Sequence, residues 1–63
     1  MKIYVHHTFE NHDRIEVWYD RAYRCWWAAR FDRDGFQIDD AVDGYTREDV
    51  EHLVAPWIDE PAQ

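Results

Sequence analysis

The chain has one cysteine, Cys25, so no disulfide can form within it. It has no serine, which removes serine-based nucleophilic hydrolysis. Its only glycines are Gly35 and Gly44, too few for a loop that wraps phosphates in backbone amides. The longest apolar run, Cys25-Trp26-Trp27-Ala28-Ala29, is far short of the roughly 20 residues that cross a bilayer. The first twenty residues carry six charged side chains and no apolar stretch of signal-peptide length. With one unpaired thiol, that pattern gives the expectation of a reducing, cytoplasmic setting without a membrane partner.

Basic residues are also scarce. Seven Lys and Arg stand against 14 Asp and Glu, for a net charge of −7. Residues 1–31 hold five basic and four acidic side chains, whereas residues 32–63 hold two and ten. The negative charge therefore belongs to the second half, and such asymmetry points to an electrostatic interaction surface. It disfavours direct binding of duplex DNA through a broad basic face.

What is present is aromatic surface: four Trp, four Tyr and three Phe in 63 residues. A chain this short forms one domain, residues 1–63, and buries only about 60% of the surface it exposes when unfolded. Each aromatic ring can bury roughly 150–250 Å², which makes up for the missing disulfides and leaves room for a second copy as partner.

The patterning predicts an α+β fold, a three- to four-stranded antiparallel sheet with one C-terminal helix packed on one face. Lys2 to Phe9 alternates, with Ile3, Val5, His7 and Phe9 on one side. Arg14 to Asp20 alternates with Ile15, Val17 and Tyr19 inward. Tyr23 to Phe31 alternates with Tyr23, Cys25, Trp27, Ala29 and Phe31 inward. Asp32-Arg33-Asp34-Gly35 has hairpin-turn chemistry and leads into a return strand from Phe36 to at least Ile38. Thr46 with Asp49 makes a capping box, and Val50, Leu53, Val54 and Trp57 form one apolar stripe behind it. Pro56 is expected to end the regular helix near Ala55.

Two constellations carry functional content. The first is acidic: Asp32, Asp34, Asp39, Asp40, Asp43, Glu48, Asp49 and Glu51, with Glu48 and Glu51 on one exposed helix face. Carboxylates on a rigid element can occupy a Lys/Arg groove that otherwise holds nucleic acid; the plain alternative is a solvated face that keeps the protein soluble. The second is the sheet face opposite the helix, where Trp18, Arg24, Trp26 and Arg30 are expected beside Tyr4 and His6. Interleaved Trp and Arg suit unpaired bases or a protein interface.

Other chemistry finds little footing. His6 and His7 alternate to opposite faces of a strand, and Cys25 lacks a Cys-x-x-Cys companion, so no metal site is expected. Aligning Gly35 with the glycine of a calcium loop puts Arg30 and Ala41 at ligand positions, which rules that loop out. No catalytic residue and no cofactor are expected.

Through Asp39-Asp40, Asp43, Glu48, Asp49 and Glu51, the whole chain resembles, as a class, the small acidic anti-CRISPR proteins encoded by phages. That resemblance implies a non-enzymatic inhibitor in the host-cell cytoplasm that mimics nucleic acid. Its implied partner is a basic nucleic-acid-binding protein such as a type I CRISPR effector subunit. Gly44-Tyr45-Thr46-Arg47-Glu48 is also similar to the turn that opens the helix of HicB-like antitoxins, which implies a small basic toxin as partner. This chain lacks the DNA-binding domain common in that family. A third reading is a single-strand binder using Trp18 and Trp26.

Overall fold

The computed structural model describes residues 2–59. Glu60, part of the acidic count, lies outside the described residues. Four strands, β1 (Ile3–Thr8), β2 (Arg14–Asp20), β3 (Cys25–Phe31) and β4 (Gln37–Gly44), precede a single helix, α1 (Arg47–Ile58). They form an antiparallel sheet in the order β1-β2-β3-β4, a meander whose strands pair with their sequence neighbours. The α+β fold is the one the patterning predicts. The return strand starts at Gln37 and continues past Ile38 to Gly44.

Each turn is built by its own polar residues. In the β1–β2 turn the Asn11 side chain accepts from the Asp13 amide, and His12 takes a positive φ of 74°. Asp20 accepts from the amides of Ala22 and Tyr23 at the next turn, with Arg24 at φ 54°. In the β3–β4 hairpin, Asp32 Oδ1 accepts from the amides of Asp34 and Phe36, and Gly35 supplies φ 90°.

The core lies on one face only. Ile15, Val17 and Ala28 from the sheet are fully buried against Val50 and Val54 of α1. Tyr4, Phe9, Trp26, Val42, Trp57 and Ile58 close the rim. Register explains the membership: Tyr4 lies opposite Val17, Val17 opposite Ala28, and Ala28 opposite Val42, so these four share a face. Ile15 and Val17 point to the helix as expected, but the sides assigned to β1 and β3 are reversed. Tyr4, Trp26 and Arg30 are on the helix side, and Ile3, Val5, Cys25 and Trp27 are on the open side. Ala28 is the physical reason for β3: its small side chain lets Val50 and Val54 approach, where Trp27 would hold the helix away.

Two irregularities break the alternation. A bulge between Val5 and His7 brings His7 opposite Ile15, so His7 and Phe9 switch to the helix side. A second shift, between Ala28 and Arg30 on the β3–β4 ladder, accommodates Asp39 at φ 62°.

The helix begins as predicted. Thr46 Oγ1 accepts from the Asp49 amide, and the Asp49 carboxylate accepts from the Thr46 amide. Gly44 is required by close approach, because a Cβ there would sit 2.8 Å from the Cβ of Asp49. The far end departs from expectation. The helix runs through Pro56 to Ile58, and the Asp59 amide donates to the Ala55 carbonyl. Pro56 is exposed and sits in the last turn, where its missing donor would have met the carbonyl of exposed His52. Leu53 is a further correction. It is 48% exposed at the flank of the stripe, and Trp57 and Ile58 complete the seal instead.

Ile15→Ala, at a fully buried site, is expected to cost about 2–5 kcal/mol in urea unfolding. Leu53→Ala is expected to cost under about 1 kcal/mol, as surface substitutions do.

Candidate functional site

The acids fall into two kinds once their partners are known. Asp32, Asp49 and Glu51 are structural. Asp32 organises the hairpin, and Asp49 caps the helix. Glu51 is not on a free face. Its Oε2 accepts from the Tyr4 hydroxyl at 2.6 Å and from Arg47 Nε at 3.2 Å, and His6 Nδ1 lies 3.4 Å away. The expected Glu48–Glu51 pairing on one exposed helix side is therefore corrected. Glu48 is exposed, whereas Glu51 turns toward β1 and ties the helix to it.

Asp34, Asp39, Asp40, Asp43 and Glu48 are exposed, and among the described residues their carboxylates have no hydrogen-bonded or ionic partner. Their arrangement comes from topology. Asp39, Asp40 and Asp43 lie along β4, an outer strand of the sheet. Asp34 stands in the hairpin at one end of that strand, and Glu48 in the first helical turn beyond the other. The eight residues of β4 cover about 26 Å at roughly 3.3 Å each. The result is one negative edge, not a patch on the helix. Charge on an outer strand also bars a further strand from pairing there.

The four residues expected on the opposite sheet face do not come together. Trp18 is on the open side, opposite Trp27. Trp26 is on the helix side, edge-on to Tyr19 with ring centroids 5.4 Å apart. Arg30 is also on the helix side, bonded to buried Asp13 at 2.9 Å and lying 4.0 Å over the Phe9 ring. Arg24 is in the exposed turn before β3.

No family model, curated protein or solved structure matches this chain. The surfaces therefore stand on their own chemistry.

Two concavities accompany the acidic edge. One, of about 530 Å³, is lined by Lys2, Tyr4, Tyr19, Asp20, Arg21, Trp26 and Arg47. Lys2 and Arg21 have no ionic partner among the described residues, and Arg47 lies 4.9 Å over the Tyr4 ring. Three cations thus meet three rings in a chain of charge −7. Sequence reasoning missed this grouping because it needs β1, the β2–β3 turn and the helix at once; the Arg47–Glu51 spacing of four was the only local signal.

The other is an open groove of about 1140 Å³ where β3 begins and β4 ends, lined by Tyr23, Cys25, Trp27, Tyr45 and Leu53 among others. Burial, then the charges of Asp43 and Asp20, push the Cys25 thiol up, so it stays protonated and unreactive near neutrality. Among the described residues the adjoining Trp27 indole N–H is buried without a hydrogen-bond partner. Among the described residues no three His, Cys, Asp or Glu side chains converge as metal ligands.

The Tyr4–Glu51 bond carries a pH signature. Burial, with help from Glu51, pushes the Tyr4 hydroxyl from 10.0 to about 12. The bond to Tyr4, against opposing burial and with help from Arg47, holds the Glu51 carboxyl below its ordinary value of 4.5. Tyr4 thus stabilises the fold fully below pH 10 and loses that contribution as pH rises from 10 towards 12. Glu51 contributes above 4.5 and loses its contribution as pH falls through its lower folded value. Stability measured against pH should therefore decline at both extremes. Tyr4→Phe should lower stability at neutral pH and flatten the alkaline decline, while Glu51→Gln should flatten the acid one.

Proposed function

We propose that the protein is a non-enzymatic inhibitor whose β4 edge and helix start occupy a basic groove in a nucleic-acid-binding protein. The carrying observation is the row Asp34, Asp39, Asp40, Asp43 and Glu48, five exposed carboxylates without partners among the described residues, three on the outer strand β4 and one beyond each of its ends. Complementary fields of this kind steer association and make it salt-dependent. Type I CRISPR effector subunits, the partners implied by the class resemblance, are the first to test; a small basic toxin, implied by the HicB-like turn, is the second.

The test is competition with nucleic acid for such a partner, read as association rate and DNA displacement across a salt series. Asp40→Lys, Asp43→Lys and Glu48→Lys together are expected to slow association by about tenfold or more, with folding intact because exposed charges contribute about 0–1 kcal/mol each. Glu51 is left unchanged, since reversing it would break the Tyr4 and Arg47 bonds. Competition equal to that of the unmodified protein would remove this reading.

A second reading is favoured by the smaller concavity, where Lys2, Arg21 and Arg47 surround Tyr4, Tyr19 and Trp26. Cations beside aromatic rings suit the end of a single nucleic-acid strand. Short oligonucleotides should then quench Trp fluorescence, with the quenching weakened by salt and by Arg21→Ala. Quenching that is absent, or indifferent to Arg21→Ala, would eliminate it.

A further inference from the structure

Twice among the described residues an arginine is held between an aromatic ring and a carboxylate. The Arg30 guanidinium lies 4.0 Å over the Phe9 ring while its Nη2 donates to Asp13 at 2.9 Å. The Arg47 guanidinium lies 4.9 Å over the Tyr4 ring while its Nε donates to Glu51 at 3.2 Å. A flat, weakly hydrated cation suits both neighbours at once, the ring through its face and the carboxylate through N–H bonds.

The open groove of about 1140 Å³ brings together the same two kinds of group. Its rings are Tyr23, Trp27 and Tyr45. Its carboxylates include Asp43 and Glu48, which have no ionic partner among the described residues. Among those residues no lysine or arginine lines the groove. Tyr23 and Tyr45 are 75% and 89% exposed and Leu53 is 48% exposed, so apolar surface and negative charge are both open to solvent here. The field also reaches the half-buried lining: after burial itself, Asp43 and Asp20 are what push the Cys25 thiol up.

We infer that this groove takes an arginine side chain of a protein partner, with its methylenes on Leu53, its guanidinium against the tyrosine rings, and Asp43 and Glu48 as counter-ions. The inference deepens the β4-edge reading and rests on it for the partner, because Asp43 and Glu48 belong to that row as well. Charge selects the occupant. An anion would be repelled, and a neutral apolar group would cover the two carboxylates without compensating their lost water. Ring faces then favour a delocalised guanidinium over a compact ammonium that keeps its hydration. Carboxylates alone attract any cation; the rings are what make the contact specific for arginine.

Nuclear magnetic resonance titration of the intact, isotope-labelled chain with the capped tripeptide acetyl-Gly-Arg-Gly-amide tests it. Saturable shifts are expected at the Trp27 indole N–H and the Tyr45 amide, with a Kd on the order of 1–10 mM for one exposed side chain. The same tripeptide with neutral citrulline should give no saturable shift, and the lysine tripeptide should bind severalfold more weakly. Tyr45→Ala should weaken binding by about threefold or more, and Asp43→Asn with Glu48→Gln by about fivefold or more. Phe36→Ala removes an exposed ring outside the groove and should leave binding unchanged. No saturable shift up to about 50 mM peptide, an equal response to citrulline, or binding indifferent to Tyr45→Ala would overturn the inference. Equal binding of the lysine tripeptide would overturn the assignment to arginine. The two readings fail separately. Peptide binding without competition against nucleic acid removes the inhibitor and leaves the groove, whereas competition without peptide binding removes the groove and leaves the β4 edge.

Discussion

Val50 and Val54 meet Ile15, Val17 and Ala28 where two residues without bulk, Ala28 and Gly44, let the helix come down onto the sheet. Everything else in the molecule is arranged around that contact. In a chain with so few fully buried side chains, the distance of closest approach matters more than the number of apolar residues available. A larger residue at 28 would lift the helix and open the rim formed by Tyr4, Trp26 and Trp57. A side chain at 44 would collide with Asp49 and disturb the capping box. The helix needs this tertiary support, since 12 residues with Pro56 among them would be marginal alone.

Seating the helix also divides the acids into two groups. Those that meet a neighbour, Asp32, Asp49 and Glu51, hold the turn, the cap and the link from helix to β1. The others are left along β4 because β4 is an outer strand whose far side no element covers. The same placement has two consequences. It concentrates negative potential along one line, and it makes that line unfit for strand addition. A bulge with Asp39 in the left-handed region further spoils the edge as a template. Among the described residues, of the four cations without ionic partners only Arg33, in the hairpin beside Asp34, adjoins this row in sequence; Lys2, Arg21 and Arg24 belong to the start of the chain and the β2–β3 turn.

One helix can seal only one face of a four-stranded sheet. The aromatic richness therefore has to be shared, and it is shared unevenly. Tyr4, Trp26 and Trp57 complete the core, Tyr19 meets Trp26 at its margin, and Trp18, Trp27 and Phe31 are left on the uncovered side. The open face is a direct consequence of having one helix and strands that are apolar on both sides.

The sequence by itself determined the element order, the Asp32–Gly35 hairpin turn, the helix cap and the inward direction of Ile15 and Val17. All of these rest on local chemistry: alternation within a strand, Asp and Gly in turns, Thr46 with Asp49 at a helix start. The sequence also placed the charge in the second half of the chain. Only the tertiary structure decided which face of β3 is inside, because Cys25, Trp27 and Phe31 compete with Trp26 and Ala28 on equal apolar terms. Size, not polarity, breaks the tie, and size acts only against a neighbour. The same holds for β1, where a bulge after Val5 moves His7 and Phe9 across the sheet, and for Glu51, whose partner Tyr4 is 47 residues away. Leu53 fits the apolar stripe as well as Val54 does, yet it stands at the flank, while Val54 is buried against the sheet. Alternation and spacing say which residues share a side; only packing between elements says which side is buried.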